Sequence, residues 1–389
     1  MRILLVHNRY QHTGGEDGVV TSEADLLRKG GHEVRLLMAS NDDIRSSVDQ
    51  AVVAAQVIYN FAGRHLVSDE ISTFGPDIVH VHNFFPRLSP AVFDACRKAN
   101  VPSVWTLHNF RALCANGFLF RDGQPCEACV GRIPVAAIRH GCYRGSRVGS
   151  TAVAAMIAYH QHIGTWRRKV SRFIALTEFA KQKFIAGGIP SDRLFVKPNF
   201  SEDLMPDRSD LATRRNGAVF VGRLSPEKGV KMLIDAWHKI DAPLTIIGDG
   251  PERTALEAMA PANVRFLGFL DRPAVRSAMA NAQVLVVPSI WYEMFGLVAI
   301  EAMALGTPVV AFDIGALSEI VLDHVNGRLV QPGRVDELIK VLHEFFAATD
   351  RHVSLSAGAR HTYVKRYSPT SNLEMLEEIY NGALLDIKH

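Results

Sequence analysis

The sequence predicts an α/β protein with two doubly wound domains, each built from a parallel sheet with helices on both faces. At 389 residues, 48% of them hydrophobic, the chain is too long for one compact core. In both halves, short apolar runs alternate with helical patterns, which is typical of parallel sheets. A polar stretch at residues 199–217 interrupts this alternation and indicates a linker. We therefore expect domains at residues 1–198 and 199–367.

The first domain is expected to contain five strands, each marked by a short apolar run. Helical patterns accompany them at about residues 18–30, from about residue 90 and, in an alanine-rich stretch, from about residue 150. An insertion rich in Cys, Gly and Arg interrupts the pattern at residues 110–150. The strand runs are RILLVH, EVRLLM, DIVHVH, PSVWTLH and RFIALT.

The second domain repeats this pattern after the linker. Each strand run is followed by a helical segment, and the helix after the last run begins near Val335. A terminal helix is expected within residues 368–389, with a return to the first domain as one possible position. The strand runs are AVFVGRL, PLTIIGDG, NVRFLGFL, AQVLVVPS, TPVVAFD and NGRLVQPG.

The charge and hydropathy of the chain exclude several classes of function. The net charge of +3 is far from the concentrated positive field of a dedicated nucleic-acid-binding protein. No stretch approaches the run of about 18 apolar residues that crosses a bilayer. We therefore expect a cytoplasmic chain that acts on small molecules or glycans rather than on nucleic acid.

One strand-to-helix loop of the second domain, VGRLSPEKGV, has the composition of a phosphate site. Its strand ends at Gly222, Arg223 follows directly, and Lys228 lies just before the helix. A guanidinium and an ammonium on one loop suit a diphosphate, particularly where no metal neutralises the charge. The sequence contains no D-x-D pair of the kind that holds a divalent ion. The alternative is a surface loop with solvated charges.

A second loop of that domain, in the stretch WYEMFGLVAIE, holds two glutamates with seven residues between them. Glu293 precedes an apolar helix that Gly306 closes, and Glu301 lies within it. Free amides at the start of this helix would face a ligand. Carboxylate oxygens suit sugar hydroxyls and a ribose diol. The alternative is an amphipathic helix with two solvated glutamates.

Together, VGRLSPEKG and PSIWYEMFGLVAIEAMALGTPVVAFDIGALSEIV resemble the retaining GT-B glycosyltransferases that bear an E-x7-E motif, the glycosyltransferase group 1 family. The stretches HNRYQHTGGEDGVV and TLHNF resemble its glycine loop and catalytic-cleft histidine segment. The resemblance implies two Rossmann-like domains facing across a cleft, with a UDP- or GDP-sugar held by the second domain. It also implies retention of anomeric configuration without a catalytic divalent metal. The departing phosphate then acts as base.

The resemblance also assigns roles to individual residues. Arg223 and Lys228 match the diphosphate-binding pair, and Glu293 matches the glutamate near the donor sugar. Glu301 matches the glutamate on the ribose, and His108 matches the cleft histidine. The backbone positions that match donor-binding ones are Gly14, Gly15, Gly222, Met294, Phe295, Gly296 and Leu297.

Four further polar residues are expected at strand ends of the first domain, where they would face the same cleft. Glu16 and Asp17 follow the glycine pair, and His82 and Asn83 end the run DIVHVHN. The alternative is that these side chains only cap backbone groups.

Four of the five cysteines lie in the insertion with the spacing C-x11-C-x2-C-x12-C. In a reducing compartment, such thiols indicate metal ligands. We predict a structural zinc that shapes acceptor choice; an iron–sulfur cluster, disulfides and free thiols are the alternatives. The four predicted ligands are Cys114, Cys126, Cys129 and Cys142, whereas Cys96 is expected in the core.

The stretch AYHQHIGTWRRKVSRF places Trp166 beside three cations, Arg167, Arg168 and Lys169. One interpretation is a peripheral contact with anionic lipid on the inner face of the membrane, where the enzyme would meet a lipid-linked acceptor. The other is the solvated face of a packed helix.

We predict a retaining hexosyltransferase that uses a nucleotide-sugar and a glycan or lipid-linked acceptor to build a cell-surface polysaccharide or another glycoconjugate. A sugar-nucleotide epimerase and a glycosyl phosphorylase are alternatives on the same two-domain frame. A non-catalytic, metal-ordered binding or assembly protein is an alternative of another class.

Overall fold

A computed structural model describes residues 1–10, 15–42, 46–203, 215–347 and 349–386. The chain divides into two compact units. The first comprises Met1–Leu119, Cys126–Pro198 and Asn372–His389, and the second comprises Phe120–Pro125 and Asn199–Ser371. Each unit contains a six-stranded parallel sheet, which confirms the predicted α/β class with two doubly wound sheets. Within the described ranges, no helix combines the length and apolar character needed to cross a membrane.

The sheet of the first unit has the strand order β2-β1-β3-β4-β7-β8, and all of its pairings are parallel. Because β2 and β3 lie on opposite sides of β1, the strand order reverses between β1 and β3. The loops that follow these two strands therefore lead away from each other at the carboxyl edge of the sheet. The strands are β1 (Arg2–Arg9), β2 (Glu33–Ser40), β3 (Ile78–Val81), β4 (Ser103–Leu107), β7 (Arg172–Ala175) and β8 (Leu194–Val196).

The helices of the first unit include two that the sequence did not predict, at Ser47–Gln56 and Phe61–Phe74. Both begin at a polar N-cap, Ser46 and Asn60, whose side-chain oxygen accepts a bond from a backbone amide of the first turn. The helices are α1 (Gly15–Lys29), α2 (Ser47–Gln56), α3 (Phe61–Phe74), α4 (Val92–Lys98), α5 (Val135–Arg139), α6 (Arg147–His162), α7 (Thr165–Lys169) and α8 (Glu178–Ala186).

The last helix of the chain, α16 (Pro369–Leu385), packs in the core of the first unit. Its Leu376 and Tyr380 lie in one buried cluster with Ile3 and Leu5 of β1. Full burial of an aliphatic side chain contributes roughly 1.5–3 kcal/mol. The core of this unit therefore depends on apolar side chains from both β1 and α16.

The sheet of the second unit has the order β11-β10-β9-β12-β13-β14, again entirely parallel. The order reverses between β9 and β12, so the loops after these two strands flank the switch point where ligands bind in such sheets. The strands are β9 (Ala218–Val221), β10 (Leu244–Ile247), β11 (Val264–Gly268), β12 (Val284–Val287), β13 (Val309–Phe312) and β14 (Gly327–Val330).

Helices cover this second sheet, and their apolar faces form its core. Leu233 and Trp237 of one helix share a buried cluster with Leu342 and Phe345 of another. The helices are α9 (Val230–Trp237), α10 (Arg253–Met259), α11 (Arg272–Asn281), α12 (Leu297–Ala304), α13 (Leu317–Ile320), α14 (Val335–Ala347) and α15 (Thr349–Arg366).

The cysteine-rich insertion has very little regular structure. It contains the two-residue strands β5 (Phe120–Arg121) and β6 (Gln124–Pro125), which pair antiparallel, and the short helix α5. Along residues 120–142 the buried side chains are small: Cys129, Pro134 and Ala137. Apolar burial therefore stabilises this segment weakly.

Candidate functional site

The loop after β9 reaches the end of β12 because of one glycine. Gly229 has a φ of 67°, and a Cβ there would lie 2.0 Å from the carbonyl oxygen of Pro288. The residue before it, Lys228, ends a 3₁₀ turn over Pro226–Lys228 and donates its amide to the carbonyl of Ser225. Only glycine allows this conformation together with this approach. The loop thus brings Lys228 to the switch point.

Lys228 and Glu293 form an ion pair at the switch point. Lys228 Nζ lies 2.7 Å from Glu293 Oε1, and Ser289 donates its hydroxyl to the same oxygen at 2.6 Å. The Glu293 side chain is nearly buried, whereas about a fifth of the Lys228 side chain is exposed. Lys228 Nζ also lies 5.4 Å from the ring centre of Trp291. An anion that enters this place meets an ammonium already positioned by a carboxylate.

Four consecutive amides beside this pair are free to bind an anion. In the described part of the chain, the main-chain N–H groups of Met294, Phe295, Gly296 and Leu297 donate no hydrogen bond. They precede and open α12, where the helix dipole adds partial positive charge. The arrangement suits phosphate or a sugar hydroxyl.

Arg223 and Glu301 stand apart from the Lys228–Glu293 pair. The Arg223 side chain is exposed, and its guanidinium bonds to no residue that the structure describes. Glu301 lies partly buried on α12, where burial raises the pKa of its carboxyl while Arg272 and Arg276 oppose that shift. The structure brings Lys228, Glu293 and the four amides together, whereas it shows no contact of Arg223 or Glu301 with them.

In the first unit, the end of β1 meets the start of α1. His7 Nε2 lies 2.7 Å from Asp17 Oδ1, and His7 Nδ1 lies 3.9 Å from Glu16 Oε1. Gly15 opens α1, while Gly14 falls outside the described residues. Asp17 is therefore held by His7.

The carboxyl group of Glu16 has a raised pKa. Burial and the neighbouring Asp17 raise its pKa to about 8, although hydrogen bonds with Tyr10 and Asn109 and the charge of Arg111 act in the other direction. Near neutral pH the carboxyl is therefore largely protonated, and it can donate a hydrogen bond.

His82 and His108 lie side by side at the ends of β3 and β4. His82 Nδ1 lies 2.9 Å from His108 Nε2, with the two rings inclined by 19°. His82 is buried, and His108 is partly exposed. Asn83, the next residue, caps backbone groups: it donates to the carbonyl of Asn8 and accepts from the amide of Phe85. Of His82, Asn83 and His108, only His108 has an exposed part for a ligand to touch.

Behind His82 lies a buried ionic network that the sequence analysis missed. Lys197 Nζ lies 2.9 Å from Glu23 Oε2 and donates to Asn372 Oδ1 at 2.8 Å. Glu23 Oε1 lies 3.2 Å from both His80 Nδ1 and His82 Nε2. The sequence did contain an indication of this network, because helical spacing places Glu23 on the same buried face of α1 as apolar residues.

The atoms of Glu23, His80 and His82 lie close enough together to be considered as a metal site. Lys197 already supplies a cation to that carboxylate, and His80 is engaged by Tyr380 and Thr106, each at 2.7 Å. We therefore describe the group as an ion-pair and hydrogen-bond network.

The four cysteines of the insertion form no disulfide and lie near one another. Cys114 and Cys129 are buried, and Cys126 and Cys142 are half-buried. Burial raises the pKa of Cys129 to about 11, with the other three thiols adding to the shift. Among the described residues, no three of these sulfur atoms come within 4.8 Å of one another. Cys96 is a core residue, as expected.

The part of the lipid-contact interpretation that needs an exposed Trp166 is wrong. The indole is only 3% exposed and packs against Phe84 and Trp105. Lys169 forms an ion pair with Asp94 at 2.6 Å. The apolar ring is thus part of the core and cannot enter a bilayer, because the periodicity of this short helix turns it inward.

Comparison with solved structures supports the fold. A structure described as Anabaena Alr3699/HepE in complex with UDP and glucose superposes with a TM-score of 0.69 at 20% identity, covering 98% of this chain and 100% of that one. Sucrose-phosphate synthase from Thermosynechococcus elongatus superposes with a TM-score of 0.72 at 18% identity, with 98% of each chain covered. Both similarities show the GT-B fold.

Sequence comparison identifies the two domains. The phosphatidyl-myo-inositol mannosyltransferase of Mycobacterium leprae is 27% identical over 94% of this chain and 92% of its own length. The glycosyltransferase MJ1607 of Methanocaldococcus jannaschii, itself uncharacterized, is 43% identical over 31% of this chain and 33% of its own length. The family Glycosyltransferase Family 4 matches residues 13–201, and Glycosyl transferases group 1 matches residues 201–362. The two matches together cover residues 13–362, so the chain is similar to a Glycosyltransferase Family 4 domain followed by a Glycosyl transferases group 1 domain.

Proposed function

We propose that this protein is a retaining glycosyltransferase that moves a hexose from a nucleotide-sugar to a glycan or lipid-linked acceptor, in the synthesis of a cell-surface polysaccharide or glycoconjugate. The observation that carries the proposal is the Lys228–Glu293 ion pair beside four free amides at the switch point of the second sheet. An ammonium, a carboxylate and unbonded amides are the groups that a phosphorylated sugar requires.

The second unit binds the donor. Lys228 and Arg223 neutralise the diphosphate, and the amides of residues 294–297 bind phosphate and sugar oxygens. Glu293 accepts hydrogen bonds from sugar hydroxyls, and Glu301 accepts them from the ribose. The UDP and UDP-glucose named for the Anabaena structures support a uridine or a related nucleotide as carrier.

In the proposed mechanism, several groups together stabilise the developing charge, so that no single side chain carries the reaction. As the bond between the anomeric carbon and the diphosphate breaks, negative charge grows on the leaving phosphate, and the cations and amide dipoles stabilise it. The leaving phosphate takes the proton of the acceptor hydroxyl, which attacks from the same face, so configuration is retained. Divalent metal is not required in this proposal, because Lys228 and Arg223 supply the positive charge.

The first unit contributes the acceptor side, where the partly exposed His108 binds a sugar hydroxyl and the start of α1 at Gly15 binds a phosphate oxygen. Glu16, with its raised pKa, lies at the start of the same helix and can donate a hydrogen bond to an acceptor oxygen. Gly222 lets the backbone approach the donor.

The experiment measures nucleotide release from UDP- and GDP-sugars, with and without a glycan acceptor, in excess chelator. Lys228→Met should weaken donor binding by roughly 10- to 100-fold, since a hydrogen bond to a charged group contributes about 1.5–3 kcal/mol. Lys231→Met is the matched control, because Lys231 pairs with Asp235 on the exposed side of α9. Equal release by wild type and Lys228→Met, or activity that needs added magnesium, would refute the proposal.

We further propose that Cys114, Cys126, Cys129 and Cys142 hold a structural zinc. Cys129 lies close enough to the other three thiols for their charge to raise its pKa, and the side chains buried within residues 120–142 are small. A tetrahedral thiolate site would supply the folding free energy that apolar burial does not.

Metal analysis of the purified protein tests the zinc site. We expect one zinc per chain, lost in Cys126→Ser and Cys129→Ser, and kept in Cys96→Ser, whose thiol is buried in the core. Iron in place of zinc, or four thiols that react freely in the folded protein without metal, would contradict this assignment.

A further inference from the structure

The buried carboxylate of Glu23 lies two steps from a partly exposed histidine. Glu23 Oε1 is 3.2 Å from His82 Nε2, and His82 Nδ1 is 2.9 Å from His108 Nε2. His108 is partly exposed, whereas Glu23 and His82 are buried. Carboxylate, inner imidazole and outer imidazole therefore form a line of two short contacts from the interior to a partly exposed ring.

The carboxylate at the inner end is ionised. Burial alone would raise the pKa of Glu23, but the charge of Lys197 opposes it most strongly, and the pKa lies well below its usual range. Lys197, on the far side, lies 2.9 Å from the other carboxylate oxygen. Negative charge is therefore fixed beside His82 Nε2.

Both imidazoles of the line are neutral. Burial, then the neighbouring His80, lowers the pKa of His82 to about 3. Burial, then His82, lowers the pKa of His108 well below its usual value. A neutral imidazole carries one N–H and one lone pair, so in a bond between two such rings one must donate and the other accept.

The fixed charge decides which ring donates. If His82 carried its proton on Nδ1, the lone pair of Nε2 would face the Glu23 carboxylate at 3.2 Å, which is repulsive. With the proton on Nε2, the N–H dipole is attracted to the carboxylate, although the two atoms are not aligned as a regular hydrogen bond. His82 Nδ1 then accepts, and His108 Nε2 donates.

We propose that Glu23 is a positioning residue that acts through His82 to hold His108 in the Nε2–H tautomer, leaving His108 Nδ1 as a hydrogen-bond acceptor. On the proposed function, that acceptor receives a hydroxyl of the donor sugar. The tautomer itself does not depend on the proposed function.

Nitrogen-15 NMR of histidine-labelled protein tests the tautomer directly. Long-range nitrogen–proton correlation distinguishes protonated from unprotonated ring nitrogens, and His108→Gln identifies the His108 signals among those of the 16 histidines. In the wild type we expect His108 to carry its proton on Nε2. A proton on Nδ1 in the wild type overturns the proposal without any variant.

Glu23→Gln should move the ring proton to the other nitrogen in both His82 and His108. The Gln oxygen would turn to Lys197 and its NH2 group to His82, so that Nε2 of His82 must accept and Nδ1 must donate to His108. We expect the His108 proton to move to Nδ1. Nucleotide affinity should stay unchanged, while nucleotide-sugar affinity falls roughly tenfold, the loss of about one hydrogen bond.

Glu377→Gln is the matched control, because Glu377 also pairs with a histidine of the first unit, His32, at 2.8 Å. It should leave the His108 tautomer as in the wild type. If Glu23→Gln does not fold, Glu23→Gln combined with Lys197→Met removes both charges, and the wild-type tautomer should then be lost or mixed. An unchanged His108 tautomer in a folded Glu23 variant overturns the proposal.

The two proposals fail separately. A His108 tautomer as expected, together with no transferase activity, would leave the Glu23 relation intact and refute the proposed function. Transferase activity together with a proton on His108 Nδ1 would leave the proposed function intact and refute the Glu23 relation.

Discussion

The ammonium of Lys228 and the carboxylate of Glu293 lie 2.7 Å apart in the second unit, at the reversal of its strand order. Each side chain has been assigned to a different part of the donor, the diphosphate for Lys228 and the sugar for Glu293. Because the two side chains pair with each other, a donor that contacts both must compete with this ion pair.

Glu293→Gln should separate binding of the nucleotide from turnover. Removing the carboxylate frees Lys228, so we expect the affinity for the nucleoside diphosphate alone to stay equal or rise. Turnover of the nucleotide-sugar should fall by about 10²-fold, as for loss of one preorganised polar contact in a transition state. Calorimetric titration and nucleotide-release assays measure the two effects. A parallel loss of both would mean that Glu293 only supports the loop.

Gly229→Ala should disturb the loop that carries Lys228. Its added Cβ would lie 2.0 Å from the carbonyl oxygen of Pro288 at a φ of 67°. Gly333→Ala is the control, because Gly333 has a φ of 78° with open space around it. Both variants place an alanine at a positive φ, which is strained. Only Gly229→Ala also brings a Cβ against the carbonyl oxygen of Pro288. We expect Gly229→Ala to be less stable than Gly333→Ala by about 1–3 kcal/mol in urea unfolding; equal losses would contradict the packing.

Glu16 should make the stability of the protein depend on pH. Its pKa is raised to about 8 in the folded chain, so the folded state holds a proton that the unfolded state releases above about pH 4.5. Stability therefore falls as pH rises from about 4.5 to 8 and then levels off. Glu16→Gln should remove this component, which amounts to a few kcal/mol at most. Urea unfolding at pH 6 and 8.5 compares the two proteins, and identical pH slopes would refute the shift.

Trp166→Ala should destabilise the first unit without changing its affinity for lipid vesicles. The indole is buried among Phe84, Phe93 and Trp105, and truncation of such a residue costs about 3–5 kcal/mol. Thermal unfolding and sedimentation with anionic vesicles measure the two properties. The exposed Arg168 offers a control, since Arg168→Ala should leave stability within about 0.5 kcal/mol. Vesicle binding lost in Trp166→Ala alone would restore the lipid interpretation.

Most strands were predictable because a strand buried on both faces is a continuous apolar run, as in Val284–Val287. The short edge strand β8 (Leu194–Val196) was missed. Helices α2 and α3 were missed although Val67, Ile71 and Phe74 of α3 follow helical spacing. Trp166 shows the limit of composition: next to three cations it suggested a surface, and only the packing of its neighbours reveals a core residue.

For the candidate site, spacing indicated which loops matter, and it could not show which side chains pair. Nothing in the distance along the chain links Lys228 to Glu293, or Glu23 to Lys197 across 174 residues. Such pairs arise because distant strands end at the same edge of a sheet or pack on the same helix. Glu23 was detectable as a charge on an apolar helix face, but its partners were not.

The core of the first unit is complete only after helix α16 has been synthesised. Part of the core around Ile3 and Leu5 is supplied by Leu376 and Tyr380, and the whole stretch Asn199–Ser371 lies between them along the chain. While a ribosome is still producing the second unit, the first has an uncovered apolar surface that is open to chaperones or aggregation. Premature termination anywhere before α16 would therefore damage the amino-terminal sheet as much as the region deleted.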